Sequence, residues 1–100
     1  MDITKDLIGL IVQSIEEVHD YLQVIFSDGT ILNIYNTFRY DGDSVFELEG
    51  KGLEQVLVTD EEVVFLFRAN ERLVVGLKDE DYNGPEAMQL KRKGEPLIVW

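Results

Sequence analysis

Two short segments, both predicted to be loops, combine aromatic rings with carboxylates, and they offer the clearest chemistry in the chain. They cover residues 35–43 and 78–84. Tyrosine and phenylalanine give a protein partner rigid contact area, and carboxylates pair with its lysines and arginines. In the other interpretation the rings cover one end of the fold and the glycines mark turns. The sequence predicts a partner-binding surface at Phe38, Tyr40, Asp41, Asp43, Asp79, Glu80, Asp81 and Tyr82.

Groups suited to covalent catalysis are few. The chain has no cysteine, which excludes disulfides, thiolate catalysis and cysteine-ligated zinc. A Ser–His–acid triad would have to use the single histidine, His19. His19 lies beside carboxylates in a predicted turn, where an exposed turn residue is the simpler interpretation than a general base. The sequence also lacks a nucleophile elbow, a phosphate-binding loop and a dinucleotide fingerprint, so we expect that the protein is not an enzyme.

Carboxylates cluster at residues 41–43 and 79–81, and hard divalent cations bind several such oxygens. Neither cluster has the spacing of a twelve-residue calcium loop. We therefore expect solvated loops, with no dedicated metal site and no cofactor. A hydrolase that uses these carboxylates with a metal is a further alternative.

The charge of the chain is strongly negative and unevenly placed. Twenty Asp and Glu residues oppose nine Lys and Arg residues, which gives −11 over 100 residues, and the basic run is confined to residues 91–93. Such a surface repels nucleic acid and anionic lipid. It attracts cationic proteins and accelerates their association, although solubility alone also explains acidity.

Length and leader signals indicate a single cytoplasmic domain. One hundred residues correspond to one domain, residues 1–100. Residues 1–6 lack the basic segment of a signal peptide. The apolar runs are far shorter than the ~20 residues that span a membrane as a helix.

The chain contains a repeat of 41 residues. Residues 9–35 align with residues 50–76 without a gap, and the matched positions, such as Phe26 with Phe67, are apolar. Most of them lie two residues apart, which is the period of one strand face. Each unit is predicted to be a three-stranded antiparallel meander. The predicted strands lie near residues 10–18, 21–27 and 30–35, and near residues 52–58, 61–68 and 71–77.

Turn and capping signals support the two meanders. Asp28-Gly29 between apolar runs predicts a type I′ turn, and Ala69-Asn70 takes that place in the second unit. The capping-box spacing of Ser44 and Glu47 predicts a short helical turn ending near Gly50, and residues 4–9 could repeat it. Residues 7–18 also suit an amphipathic helix, but their β-branched content and the repeat favour a strand.

The remaining patterns complete a mainly β fold. Residues 86–100 predict a C-terminal hairpin in which Pro96 marks an edge strand. Residues 63–67 lack polar alternation, which predicts a strand buried on both faces. The sequence predicts two pseudo-repeated three-stranded meanders plus the hairpin, forming a small sandwich or partly open barrel with short helical turns.

Four stretches of the chain carry a resemblance to a known class of proteins. They read IGLIVQSI (8–15), LQVIFSDGTILNIYN (22–36), DYNGPEA (81–87) and GEPLIVW (94–100). With the size and acidity of the chain, they resemble the immunity proteins that bacteria encode beside polymorphic toxins of contact-dependent growth inhibition. The resemblance implies a non-catalytic protein that binds a cognate cationic toxin domain, often a nuclease, and blocks it. Immunity proteins share this function across many folds, so the resemblance assigns no binding residue.

The alternative function is a structural or adaptor β module. Such a module would self-associate, as a homodimer for example, through residues 63–67 or the edge at residues 96–100. The acidic surface gives no expectation of direct nucleic-acid or membrane binding under either function.

Overall fold

The computed structural model describes residues 4–99, which form two antiparallel sheets. A short helix, α1 (Thr4–Leu7), comes first, and turns of 3-10 helix lie at Val45–Leu48, Arg68–Asn70 and Asp79–Asp81. The strands are β1 (Val12–Val18), β2 (Tyr21–Phe26), β3 (Ile31–Ile34), β4 (Phe38–Tyr40), β5 (Leu53–Val58), β6 (Glu62–Phe67), β7 (Glu71–Gly76), β8 (Met88–Lys91) and β9 (Ile98–Val99). One sheet has the order β1-β2-β3-β8-β9 and the other the order β4-β7-β6-β5. The prediction of a mainly β sandwich-like fold is confirmed.

The 41-residue repeat is present in the strand register. Val12 pairs with Phe26 across β1 and β2, and Leu53 pairs with Phe67 across β5 and β6. The second pairing is the first one shifted by the repeat length. Both β1 and β5 carry a register shift just after their first residue. The strand interpretation of β1 is also confirmed, since the helix that precedes it ends at Leu7.

The two units meet at a symmetric joint, formed by residues 9–12 and 50–53. The amide of Gly9 donates to the carbonyl of Leu53 at 2.8 Å, and the amide of Gly50 donates to the carbonyl of Val12 at 2.7 Å. Gly9 and Gly50 have φ values of 93° and 87°, a region that glycine adopts without steric cost. The joint ties the start of β1 to the start of β5.

Each unit sends its last strand to the sheet of the other unit. β4 follows β3 in the chain but pairs with β7, whereas β8 follows β7 and pairs with β3. Phe38 pairs with Val75 and Met88 pairs with Ile34, so Phe38 and Met88 occupy equivalent places. They lie 50 residues apart, nine more than the repeat length, and the β7–β8 connection holds the extra residues.

β4 lies within residues 35–43, which we expected to be a loop, and that expectation is wrong for Phe38–Tyr40. Phe38 and Tyr40 pack against the core while Arg39 is exposed. The edge of β7 offers backbone groups that need partners, and this short alternating segment supplies them.

A single cluster of buried side chains fills the space between the sheets. Alternate residues of β2 and β6 point into it, among them Phe26 and Phe65. On the other face of β6, Val64 and Leu66 are half-buried, so the prediction that residues 63–67 are buried on both faces is wrong. β6 is nevertheless an interior strand, as expected, because it pairs with both β5 and β7.

The two β-turns that the repeat aligns differ in detail. Gly29 has a φ of 92° but Asp28 does not have positive φ, and the Gly29 amide donates to the Phe26 carbonyl at 3.0 Å. This is a type I turn followed by a left-handed glycine, so the type I′ prediction is wrong. Asp28 Oδ1 accepts from the Thr30 amide at 2.9 Å and holds this alternative geometry. In the second unit both Ala69 and Asn70 have positive φ.

The predicted helical turn and C-terminal hairpin are both confirmed. The Ser44 hydroxyl accepts from the Phe46 amide at 3.3 Å and caps the 3-10 turn Val45–Leu48, to which α1 corresponds in the first unit. β8 and β9 form the hairpin, with Leu90 opposite Ile98. Trp100, which the prediction included, lies outside the described residues.

Candidate functional site

Four connections meet at one end of the sandwich, which we call the acidic end: the β1–β2 turn, the β3–β4 connection, the β5–β6 turn and the β7–β8 connection. The Thr37 amide donates to the Asp81 carbonyl at 2.9 Å, and the Leu77 amide donates to the Glu61 carbonyl at 2.8 Å. Three neighbouring depressions lie here, of about 340, 220 and 220 Å³. They share Tyr21 or Phe38 and so form a continuous uneven surface.

Carboxylates dominate this surface. Among the described residues, seven carboxylates line the three depressions, whereas the lysines and arginines lining them are Arg39 and Lys78. The seven are Glu17, Asp20, Glu61, Glu62, Glu80, Asp81 and Glu86. Converging negative charge raises the local concentration of cations and of cationic protein surfaces.

Five of the eight predicted contact residues lie at the acidic end. Phe38, Glu80 and Asp81 line the depressions, and Asp79 and Tyr82 belong to the same exposed segment. Phe38 is half-buried and Tyr82 is exposed. The structure therefore brings Phe38, from the first predicted segment (residues 35–43), together with the second predicted segment (residues 78–84).

The other three predicted residues lie away from the acidic end, Tyr40 as the last residue of β4 and Asp41 and Asp43 just after it. The Tyr40 hydroxyl donates to the Glu71 and Glu47 carboxylates, and Asp41 Oδ2 accepts from Arg72 Nε at 2.8 Å. Burial raises the pKa of Tyr40, and the two carboxylates that it contacts add to this. These contacts give Tyr40 and Asp41 internal partners.

Glu71 is the centre of this internal network. It accepts from Lys51 as well as from Tyr40. The hydrogen bond from Lys51 lowers the pKa of the Glu71 carboxyl, and the Tyr40 hydroxyl lowers it further. The network fastens β4 and the Val45–Leu48 turn to β7.

The largest of the three depressions was not predicted. Its walls are Asp20, Tyr21, Tyr35 and Glu86 together with residues 83–85, and we call it the tyrosine pocket. The rings of Tyr21 and Tyr35 meet edge to face, with centroids 5.1 Å apart and planes at 60°. Burial raises the pKa of Tyr35, and the nearby Tyr21 and Glu86 raise it further. The repeat contained a signal for this pocket, because it aligns the acidic turn at Asp20 with the one at Glu61.

In the depression on the side of the second unit, carboxylates pair with the chain's own cations. Lys78 Nζ lies 3.2 Å from Glu61 Oε2, and Arg39 Nη2 lies 3.6 Å from Glu62 Oε1. The hydrogen bond to Glu61 raises the pKa of Lys78, and the charges of Glu61 and Glu80 add to this. We call this depression the paired pocket.

Other kinds of site have little support among residues 4–99. No three or more His, Asp or Glu side chains in this range are grouped so as to hold a metal ion. His19 is exposed in the β1–β2 turn, as expected. Within the same range, no helix has the length and apolar character needed to cross a membrane.

Comparisons of the chain with protein-family models, with curated proteins and with solved structures found no match. The function is therefore argued from the geometry and charge of the acidic end, whose chemistry suits the recognition of cationic groups.

Proposed function

We propose that this protein is a non-catalytic binding protein that neutralises a cognate cationic toxin domain, as the immunity proteins it resembles do. The acidic end would cover the toxin's substrate-binding face inside the cytoplasm of the producing cell. The observation that carries the proposal is the excess of seven carboxylates over two Lys and Arg side chains on one continuous surface. A groove built for nucleic-acid phosphates presents the complementary charge.

Aromatic and charged groups at the acidic end would have different tasks in such a complex. Phe38, Tyr82 and the tyrosine pocket offer rigid rings, and buried anchors of this kind supply most of the affinity of an interface. The surrounding carboxylates would set the association rate and the choice of partner. Protection of a cell requires tight binding, and a nanomolar complex corresponds to about −12 kcal/mol, which an interface of roughly 1,600 Å² can supply.

The test measures association with the protein encoded immediately upstream of this gene, as a function of salt. We expect a nanomolar complex whose association rate falls by at least tenfold between low and high ionic strength. Charge reversal at Glu80 (Glu80→Lys) should slow association. Charge reversal at Asp41 (Asp41→Lys), which lies away from the acidic end, should leave the association rate nearly unchanged.

Hen lysozyme serves as a basic protein with no cognate relation, and it should bind only weakly. The proposal fails if the upstream product has no affinity for the chain. It also fails if lysozyme binds equally well, because the acidity would then act without specificity.

The alternative, self-association, is favoured by the edge strand β9. Leu97, just before this strand, exposes 52% of its surface, and Val99, within it, exposes 47%. A shallow depression of about 400 Å³ runs along residues 96–99 and Arg92. An unpaired edge is a template for pairing with another chain, whereas β6 has no free edge because it is paired on both sides. Light scattering at high concentration should then show a dimer that Val99→Lys dissociates, and a strictly monomeric mass would remove this alternative.

A further inference from the structure

The tyrosine pocket and the paired pocket occupy equivalent places in the two units. The repeat aligns Asp20 with Glu61, Tyr21 with Glu62 and Tyr35 with Gly76. Both pockets lie where the first hairpin of a unit meets the connection after its third strand. The paired pocket therefore shows how carboxylates at this place in the fold pair with cations.

The two pockets differ in where their cations come from. In the paired pocket, the chain's own Lys78 pairs with Glu61 and its Arg39 pairs with Glu62, and both cations are exposed. The tyrosine pocket keeps carboxylates at its rim, Asp20 and Glu86, but neither lysine nor arginine is among its lining residues. Where the paired pocket has Glu62 and Gly76, the tyrosine pocket has the aromatic rings of Tyr21 and Tyr35.

We infer that the tyrosine pocket receives a guanidinium group, supplied by an arginine side chain of the protein partner. For the source of the arginine this inference rests on the proposed function, while the chemistry of the pocket can be tested separately. A planar guanidinium stacks on aromatic faces and donates in a fork to carboxylates. The two rings and the two carboxylates at the rim offer both interactions in one place.

Hydrogen bonds hold the walls of the tyrosine pocket in place, so a guanidinium group would enter a preformed site. Asn83 Nδ2 donates to the Tyr35 carbonyl at 2.9 Å and ties the β7–β8 connection to the backbone of Tyr35. The Tyr35 hydroxyl donates to Gln89 Oε1 at 3.3 Å, which fixes the hydroxyl end of the ring. The volume of about 340 Å³ is at the lower end of the roughly 300–1,000 Å³ of ligand pockets. It suits one long side chain with part of its backbone, and the carboxylates repel anions.

The first experiment titrates the full chain with N-acetyl-arginine methylamide and follows backbone amides by NMR. We expect saturable shifts at residues 20, 21, 35, 83, 84 and 86, and much smaller ones at residues 61–62 of the paired pocket. The matched probe is the citrulline analogue, which has a similar shape without charge and should cause no saturable shift. Equal shifts with both probes, or shifts scattered over all acidic loops, would overturn the inference.

The second experiment uses variants whose folding is checked by thermal unfolding. Asp20→Asn and Glu86→Gln remove one rim charge each and should weaken binding of the arginine probe roughly threefold, and Tyr21→Leu should weaken it at least as much. Glu61→Gln, the counterpart of Asp20→Asn in the paired pocket, should leave the probe affinity unchanged. If Glu61→Gln weakens binding as much as Asp20→Asn does, general acidity explains the effect and the inference is wrong.

The outcomes separate this inference from the proposed function. If the arginine probe binds in the pocket while the upstream protein does not bind the chain, the pocket chemistry stands and the toxin proposal falls. If the upstream protein binds but Tyr21→Leu and Asp20→Asn leave its affinity intact, the toxin proposal stands and the pocket inference falls.

Discussion

The two ends of this sandwich use the same kind of side chain for different purposes. At the end that carries the joint, carboxylates have partners within the chain: Glu71 contacts Lys51, Asp41 contacts Arg72, and Glu49 accepts from the Ile15 amide at 2.8 Å. At the acidic end, carboxylates outnumber lysines and arginines by seven to two among the lining residues. The joint end thus uses its carboxylates for internal contacts, whereas the acidic end carries an excess of carboxylates over the cations that pair with them, which the proposed partner would meet.

If the contacts at the joint end stabilise the fold, a substitution that creates a cavity there should have the largest effect on stability. Leu48, in the turn next to the joint, is fully buried, whereas Phe46 in the same turn is 40% exposed. Leu48→Ala should cost about 2–5 kcal/mol in the free energy of unfolding, measured with urea. Phe46→Ala should cost less than about 1 kcal/mol. Similar costs for the two variants would mean that the turn is not anchored through Leu48.

The internal network around Glu71 predicts that the stability of the protein depends on pH through a carboxylate of the joint end. The folded-state pKa of Glu71 is lowered from its ordinary value of 4.5. Its contribution to stability is therefore present above that value and is lost as the pH falls through the lower folded-state pKa. Glu71→Gln should lower the melting temperature by a few degrees at pH 7, and the difference from wild type should shrink towards pH 3. The control is Glu80→Gln at the acidic end. It should not show a lower melting temperature at pH 7 that returns to the wild-type value towards pH 3.

The repeated units could be predicted from the sequence because their signal is local. Pairs such as Leu22 with Val63 and Phe26 with Phe67 keep the period of a strand face, and a core between two sheets requires that period in both copies. The Ser44 cap and the C-terminal hairpin were predicted from other signals that are also local, such as the capping-box spacing of Ser44 and Glu47.

The exchange of β4 and β8, and with it the tyrosine pocket, depends on contacts between residues far apart in the chain. Nothing within Phe38-Arg39-Tyr40 indicates that its partner is β7 of the other unit. Tyr21 likewise reads as an ordinary strand residue, and Tyr35 as the start of the segment 35–43, until the β7–β8 connection brings them together with Glu86. For this reason the sequence placed Tyr40 and Asp41 in the binding surface and overlooked Asp20 and Glu86.

A smaller effect is expected at the two aligned turns of the joint end. Ala69 adopts φ 69° and ψ 26°, a left-handed conformation that costs a residue with a Cβ roughly 1 kcal/mol. Ala69→Gly should stabilise the protein by about 0.5–1 kcal/mol. At the aligned position, Asp28→Gly should destabilise it by about as much, because it removes the bond from Asp28 to the Thr30 amide. If thermal unfolding shows that Ala69→Gly and Asp28→Gly change the stability in the same direction, the two turns do not differ as described.

Neutralising charge at the acidic end should have the smallest effect on stability. Asp79 and Glu80 are exposed side chains, so Asp79→Asn and Glu80→Gln should each change the free energy of unfolding by less than about 0.5 kcal/mol. For Asp79→Asn any change should be towards higher stability, because removing a like charge reduces repulsion, and added salt should diminish it. Glu80→Gln also removes the attraction between Glu80 and Lys78, so its change should be the smaller of the two. Chemical denaturation at two salt concentrations measures both effects. A clear loss of stability in either variant would show that these carboxylates also have internal partners, and the division of labour between the two ends would no longer hold.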